Sequence, residues 1–450
     1  MARTMSSRLV DSLCTTDALA DLFADASVLQ AMLDVEAALA GAAAASGAIP
    51  HEAARVISGA CRAEDFDAVA IAQEARESGT PVIPLVEALT ARVASASPEH
   101  AQHVHWGATS QDVSDSAMVL LLRRARPSLA RDHSRLARGL RELSDRHADA
   151  VMLGRTLLQP ATPITFGLKV AGWFAAISRA WARLDRAWEA ALVLQFGGAS
   201  GTRAAAGGHA AAMASAMSSA LGLQDGPPWH TDRDRLGALV SACGLYTAAL
   251  GKVARDISLL MQHEVAEAAE PGGGSSTMPH KRNPAKCAAV LAGATRMPGL
   301  VASFLSGMLQ EHERSLGGWH AEWPTIAASV QTTGAAVAAL ADAVAGLSVD
   351  PARMRANVGS TRGVIFAERA VMLLTPHVGR DVAQALVAEA VRACAEPGVT
   401  FGQALERIPA VSAVLSPAVL REIDRPENYI GQADALRSAS LAGPAGDEKE

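Results

Sequence analysis

The sequence predicts an all-α protein built from long helices packed side by side, and three observations predict it. Val170, Phe174, Ile177, Trp181, Leu184, Trp188 and Ala191 are spaced 4-3-4-3-4-3, a heptad-like apolar stripe. Leu236, Leu239, Cys243, Leu250, Val253, Ile257 and Leu260 repeat the theme with gaps of three, four and seven. Segments that alternate apolar and polar residues are hard to find, so sheet contributes little.

Val28, Met32, Val35 and Leu39, at i, i+4, i+7 and i+11, add a helix near the start. Alanine abounds on all of these faces, which favours helix and lets helices approach closely. Lengths of ~25 residues or more are expected, against an ordinary mean of ~11 to 12. Apolar faces too wide for one partner suggest that helices from several subunits pack together. The Trp and Phe residues of the stripes read as core packing.

Breaks fall where glycine and proline cluster: residues 107–112, 154–163, 195–203, 225–235, 270–284 and 315–323. The hydrogen-bonding residues concentrate there, between the helices. The tail LAGPAGDEKE is polar and aperiodic and is expected to fray.

Composition excludes several classes. With 450 residues the chain is long enough for two to four domains. Net charge is −6 with the two signs interspersed, unlike the basic stripe of a nucleic-acid binder. Two tyrosines and 4% aromatics leave little for base stacking. No apolar run is expected to reach the roughly 18 to 20 residues of a membrane span, and the start lacks a secretory pattern. Cys14, Cys61, Cys243, Cys287 and Cys394 are scattered without C-x-x-C spacing, against a disulfide framework or a zinc site. A cytoplasmic enzyme without metal or other cofactor is the simplest expectation. If it binds an anion, it must concentrate positive groups locally.

The most informative break runs from Gly272 to Pro284, GGGSSTMPHKRNP. Three glycines give a segment able to close over a ligand and to turn N–H groups toward an anion. Removing a proton α to a carboxylate makes an aci-carboxylate, which needs a base on one side and cationic or N–H donors on the other. Ser275 could be that base, with Lys281 and Asn283 holding the carboxylate. As composition alone the stretch reads equally well as a flexible linker with a basic end. It does not fit the phosphate-loop spacing G-x-x-x-x-G-K-[ST].

GSSTMPHKRNP resembles the signature G-S-S-x-M-P-x-K-x-N-P of the fumarase/aspartase superfamily, which includes argininosuccinate and adenylosuccinate lyases, and matches every fixed position. The resemblance implies that Ser275 is the catalytic base and that Lys281, Asn283 and Met278 lie at the substrate. His105 to Asp112, HWGATSQD, is similar to the family's H-x-G-x-T-S-x-D segment, implying substrate contacts by His105, Thr109, Ser110 and Gln111. Gly154 to Pro163, GRTLLQPATP, is similar to G-R-T-H-x-Q-x-A-x-P, adding Thr156 and Gln159. Taken alone, His105 could be structural, Thr109 and Ser110 helix caps, and Arg314 a surface cation; the motifs together favour substrate binding.

The family implies a three-domain fold: a helical domain over 1–104, a central long-helix bundle over 105–345 and a helical domain over 346–450. It also implies a homotetramer with a helical core and active sites shared between subunits. IPLVEAL at 83–89, LVLQFGGASGT at 192–202, WHTDRDRL at 229–236, DISLLMQ at 256–262 and QEHERSLGGWHAEW at 310–323 resemble its bacterial cycloisomerase branch. Those enzymes close a muconate tricarboxylate into a lactone in aromatic catabolism. The expected partner is therefore a small polycarboxylate, without nucleic acid or membrane.

Three departures bear on this, two from other branches and one from the cycloisomerases themselves. Leu157 stands where many relatives carry an acid histidine, and a carboxylate leaving group needs no such acid. His105, His230 or His312 could otherwise supply one. The segment 79–84 is neutral where adenylosuccinate lyases carry Arg-His-Asp, and the GGGSS approach is shorter than is usual for a cycloisomerase. The alternatives are another C–N lyase of the superfamily and, from a different class, a non-catalytic structural protein on the same fold.

Overall fold

The computed structural model describes residues 9–442; residues 443–450, most of the tail expected to fray, lie outside them. The fold is helical as predicted. Among the described residues six helices exceed twenty residues: Asp25–Ala45, Ser110–Arg146, Phe166–Ala191, Asp234–Leu260, Ala285–Gly307 and Gly318–Ala345. The stripes explain them. Every stripe residue of the Asp234–Leu260 helix is buried, as are Val170, Phe174, Ile177, Leu184, Trp188 and Ala191 on Phe166–Ala191. Trp181 remains half-buried and stacks on His133, with ring centroids 4.4 Å apart.

The chain divides into two compact units. The first comprises the chain up to Ser134, Ala180–Gly251 and Ala289–Ala339; the second comprises Arg135–Arg179, Lys252–Ala288 and the chain from Leu340. In the second, short helices close around Phe366, Leu374, Val387, Phe401, Leu405 and Ile423. Thr400 and Gln403 form a capping box there, satisfying two amides that a helix start leaves unpaired.

The longest extended feature among the described residues is a hairpin, Val151–Thr156 paired antiparallel with Gln159–Thr165. It occupies the predicted 154–163 break. Leu157 and Leu158 form its two-residue turn with φ of 51° and 65°, the conformation for which Asn-Gly is the usual choice.

One expectation needs correction. Asp25–Ala45, Asp234–Leu260 and Ala285–Gly307 are long and apolar enough to cross a membrane by length and composition. Alanine produces this by raising the average without forming an unbroken run of large apolar residues. The apolar windows of the first two are 61% buried inside the protein, that of the third only 22%.

Candidate active site

Residues 105–112 lead into the Ser110–Arg146 helix and organise the polar face of the first unit. Asp112, fully buried, gathers the surrounding backbone. Its Oδ1 accepts from Gly197 N at 2.7 Å and Gln195 Nε2 at 3.0 Å. Its Oδ2 accepts from Gly198 N at 2.8 Å and Thr109 N at 3.0 Å. Glycine is required at 197, because a Cβ there would lie 2.8 Å from His230 Nε2 and 2.9 Å from Pro228 Cβ. Asp112 thus ties the HWGATSQD and FGGASGT segments into one scaffold.

Arg314 rests on this scaffold. Its Nε donates to Gln111 Oε1 at 3.1 Å, and its Nη2 donates to Thr109 Oγ1 at 3.0 Å and Ala199 O at 3.3 Å. All three acceptors are neutral, and among the described residues Arg314 forms no ion pair. A half-buried guanidinium without a counter-ion is suited to a substrate carboxylate. Ser110 sits half-buried at the helix start, where N–H groups also favour an anion. Gln111, expected to touch substrate, is fully buried. Its Nε2 donates to His230 O and Asp115 Oδ2, so its amide supports Arg314.

Arg233 offers the contrast. It is buried, with Nη1 2.8 Å from Asp115 Oδ2 and Nη2 2.6 Å from Glu322 Oε2, and it lies over the Trp229 ring. Burial alone would lower its pKa; the two carboxylates outweigh that and raise it. Its charge is fully used inside the protein.

His105 Nδ1 lies 2.6 Å from Glu36 Oε1. Burial works against the charged ring, but the Glu36 charge and hydrogen bond, aided by Asp112, raise its pKa overall.

The second unit carries the glycine-rich loop. Glu270, buried, anchors one end by accepting from Lys286 N at 2.7 Å and Cys287 N at 3.0 Å at the start of the Ala285–Gly307 helix. Asn283 N donates to Gly273 O at 2.5 Å, and its Nδ2 donates to Gly274 O at 3.3 Å, pinching the loop neck. Within the loop, Ser275 Oγ accepts from Met278 N at 3.1 Å and Thr277 N at 3.3 Å. Two amides aimed at a hydroxyl oxygen are what an alkoxide needs. Met278 and Lys281 are exposed, and Lys281 forms no ion pair among the described residues. A cavity of about 920 Å³ opens beside them, lined by His263, His280, Lys281, Arg282, Ser348 and Asp350 among others.

Gly273, at φ +75°, would place a Cβ 1.8 Å from Asn283 O. Gly273→Ala is therefore expected to open the neck and cut kcat/KM by at least tenfold or so. The thermal midpoint should stay near wild type, because the loop is exposed. Full activity in this variant would free the loop from any need for its closed neck.

Thr156 and Gln159 flank the hairpin turn and are exposed. Leu157 and Leu158 at the tip are 97% and 77% exposed. Behind them, Arg155 makes a two-pronged pair with buried Glu267, at 2.7 and 2.9 Å. His312 is exposed and His230 buried. Sequence reasoning missed Glu36, although a carboxylate beside Met32, Val35 and Leu39 on an apolar face was a usable signal. It also missed Arg233 and Glu322, whose pairing spans 89 residues and leaves no local trace.

Known proteins resemble the chain along nearly its whole length. A family model described as "Lyase" matches residues 13–299, and one described as "Adenylosuccinate lyase C-terminus" matches residues 363–438. A protein of Pseudomonas aeruginosa named 3-carboxy-cis,cis-muconate cycloisomerase is 45% identical, covering 98% of this chain and 97% of its own. A Streptomyces davaonensis protein named nitrosuccinate lyase is 39% identical over 93% and 91% of the two chains. The crystal structure of 3-carboxy-cis,cis-muconate lactonizing enzyme from Pseudomonas putida superposes with a TM-score of 0.91 at 42% identity, covering 96% of this chain and 98% of that one.

Proposed function

The chain belongs to the lyase family of the fumarase/aspartase superfamily, and from that membership we propose that it is a 3-carboxy-cis,cis-muconate cycloisomerase. The observation that carries the chemistry is the pair of loop amides at Ser275 Oγ. One substrate carboxylate oxygen bonds to an alkene carbon. The π electrons shift to the neighbouring α-carbon and into its carboxylate, giving an aci-carboxylate. The Ser275 hydroxyl then delivers its proton to that carbon, and the Thr277 and Met278 amides hold the resulting alkoxide until solvent reprotonates it. In reverse, the same alkoxide is the base of a β-elimination whose leaving group is a carboxylate.

Arg314, His105, Lys281 and the start of the Ser110–Arg146 helix serve the substrate's three carboxylates, with Thr109 and Gln111 holding Arg314 in place. Leu157 supports lactonisation, since a carboxylate leaves without an acid. Thr156, Gln159, Met278 and Asn283 complete the proposed surroundings. The exposed loop, the exposed hairpin tip and the largely uncovered Ala285–Gly307 helix support a homotetramer whose sites form from several copies. The reading makes it a cytoplasmic enzyme of protocatechuate breakdown.

The test is ultraviolet loss of 3-carboxy-cis,cis-muconate, with the lactone identified as product. No loss would reject the cycloisomerase and leave a C–N or C–O lyase. The C-terminal match favours adenylosuccinate as the first such substrate to try, although Leu157 supplies no acid for an amine leaving group. Lys281→Met is expected to lower kcat/KM roughly 10²-fold, the scale of one lost oxyanion donor. A loss under about threefold would remove Lys281 from the site.

A further inference from the structure

Glu36 is a carboxylate sealed into the apolar face of the Asp25–Ala45 helix. It is 1% exposed, between Leu33 at 0% and Leu39 at 1%. Its Oε1 meets His105 Nδ1 at 2.6 Å, and its Oε2 has no hydrogen-bond partner. A half-satisfied buried carboxylate is strongly unfavourable, and an apolar side chain of similar volume would pack the site better. His105 adds a second cost. Its φ is +58°, a region that non-glycine residues seldom occupy. The structure therefore accepts two local penalties to bring this ring to this carboxylate.

The geometry also determines what the ring offers. Glu36 accepts, so Nδ1 carries a proton; Nε2 becomes a donor when the ring takes a second proton, the charged form that the Glu36 carboxylate favours. Nε2 has no hydrogen-bond partner among the described residues, and the side chain is 19% exposed. We infer that Glu36 is a positioning residue for His105, fixing the ring's orientation and holding it as an imidazolium whose Nε2–H receives a substrate carboxylate. This rests on the polycarboxylate reading of the site.

Among the described residues, Asp112 acts on His105 and Cys61 faces Glu36, with Asp34 on the same helix as Glu36 and His209 beside the neighbouring Trp106. Asp34, on the same helix, is paired with Arg124. The Cys61 thiol is pushed up to about 12 by burial first, then by Glu36 and Asp34. Asp112 contributes charge toward His105 from the start of the next long helix. His209 donates from or accepts at Nδ1 against Ser46 O, and its ring packs edge-on to Trp106. The raised pKa of His105 keeps the ring charged into more alkaline solution than an ordinary histidine, and the charge is lost as pH rises through the folded value. Taking away Glu36 moves that loss to lower pH.

The experiment follows His105 directly, by NMR of histidine-labelled enzyme with His105→Gln for assignment, beside pH profiles of kcat/KM. In Glu36→Gln the His105 resonance is expected to titrate at lower pH than in wild type. The alkaline limb of kcat/KM should move with it, and at pH 8 KM should rise about tenfold while kcat stays within about threefold, as for a lost charged hydrogen bond. Glu36→Asp should restore part of both shifts. An unchanged His105 titration in Glu36→Gln would overturn the inference. So would a titration that moves while the kcat/KM profile does not, which would make the pair structural only. If wild type does not cyclise the muconate, cis-aconitate serves as a tricarboxylate probe. It should perturb the His105 resonance in wild type and much less in Glu36→Gln; equal or absent perturbation in both would sink the inference independently of the reaction assigned.

Discussion

Replacing Ser275 with alanine is expected to lower kcat by about 10²- to 10⁴-fold, the span one positioned proton carrier contributes. KM should change little, because the Ser275 hydroxyl is held by loop amides and the carboxylate-binding groups are untouched. The loop is exposed, so water can satisfy the Thr277 and Met278 amides in the variant and the thermal midpoint should hold. Ser276→Ala is the matched control. Among the described residues its hydroxyl meets only Thr277 Oγ1, at 3.4 Å, and its loss should cost less than about fivefold. Near-normal turnover of the Ser275 variant, measured as ultraviolet loss of the muconate, would remove this residue from the proton transfer.

Arg233→Met is expected to lower stability by about 3–5 kcal/mol, the cost of breaking a buried ion pair from one side. Two carboxylates would be left in the interior. Asp115 would keep Gln111 Nε2 and Trp319 Nε1, and Glu322 would keep Gln310 Nε2, but neither would keep a cation. The pH dependence separates this from a packing defect. Burial already pushes the Glu322 carboxyl upward against the pull of Arg233. Without Arg233 the native state binds protons more readily than the unfolded chain, so the deficit should shrink as pH falls. Denaturant unfolding at several pH values reads this out. A loss below about 1 kcal/mol, or one that stays constant with pH, would mean that water reaches the pair.

Much of this architecture was legible because helix burial repeats at a fixed period. The stripe from Leu236 to Leu260 required one buried face, and that face is buried along its whole length. Breaks rich in glycine and proline marked where the polar groups gather, including the loop of Ser275 and the scaffold of Asp112. The hairpin at 151–165 was seen only as a break, because Pro160 and Pro163 and a Leu-Leu turn hide its alternation. Gln111 shows a different limit. A motif reports that a position matters, yet whether its amide meets substrate or Arg314 depends on what a distant segment brings. Glu36, Arg233 and Glu322 are further from view still. Their meaning lies in partners 69 to 118 residues away, and a charged residue carries no local sign of being buried.

The Leu157–Leu158 turn bears on how such a protein can diverge. Each leucine there holds a backbone shape that costs an L-residue roughly 1–2 kcal/mol, and at 97% and 77% exposure neither is more than lightly covered by its own chain. Substitution at the tip thus forfeits almost no internal contact, and Asn or Gly would ease the backbone. Most routes to new chemistry are closed because they first weaken the fold. This one is open: under the role proposed for position 157, the group offered to the departing part of a substrate can be exchanged there while the buried Asp112 and Arg233 frameworks stay as they are. A single ancestral scaffold could pass from one leaving group to another through steps that natural selection would tolerate, each stable enough to persist until the next.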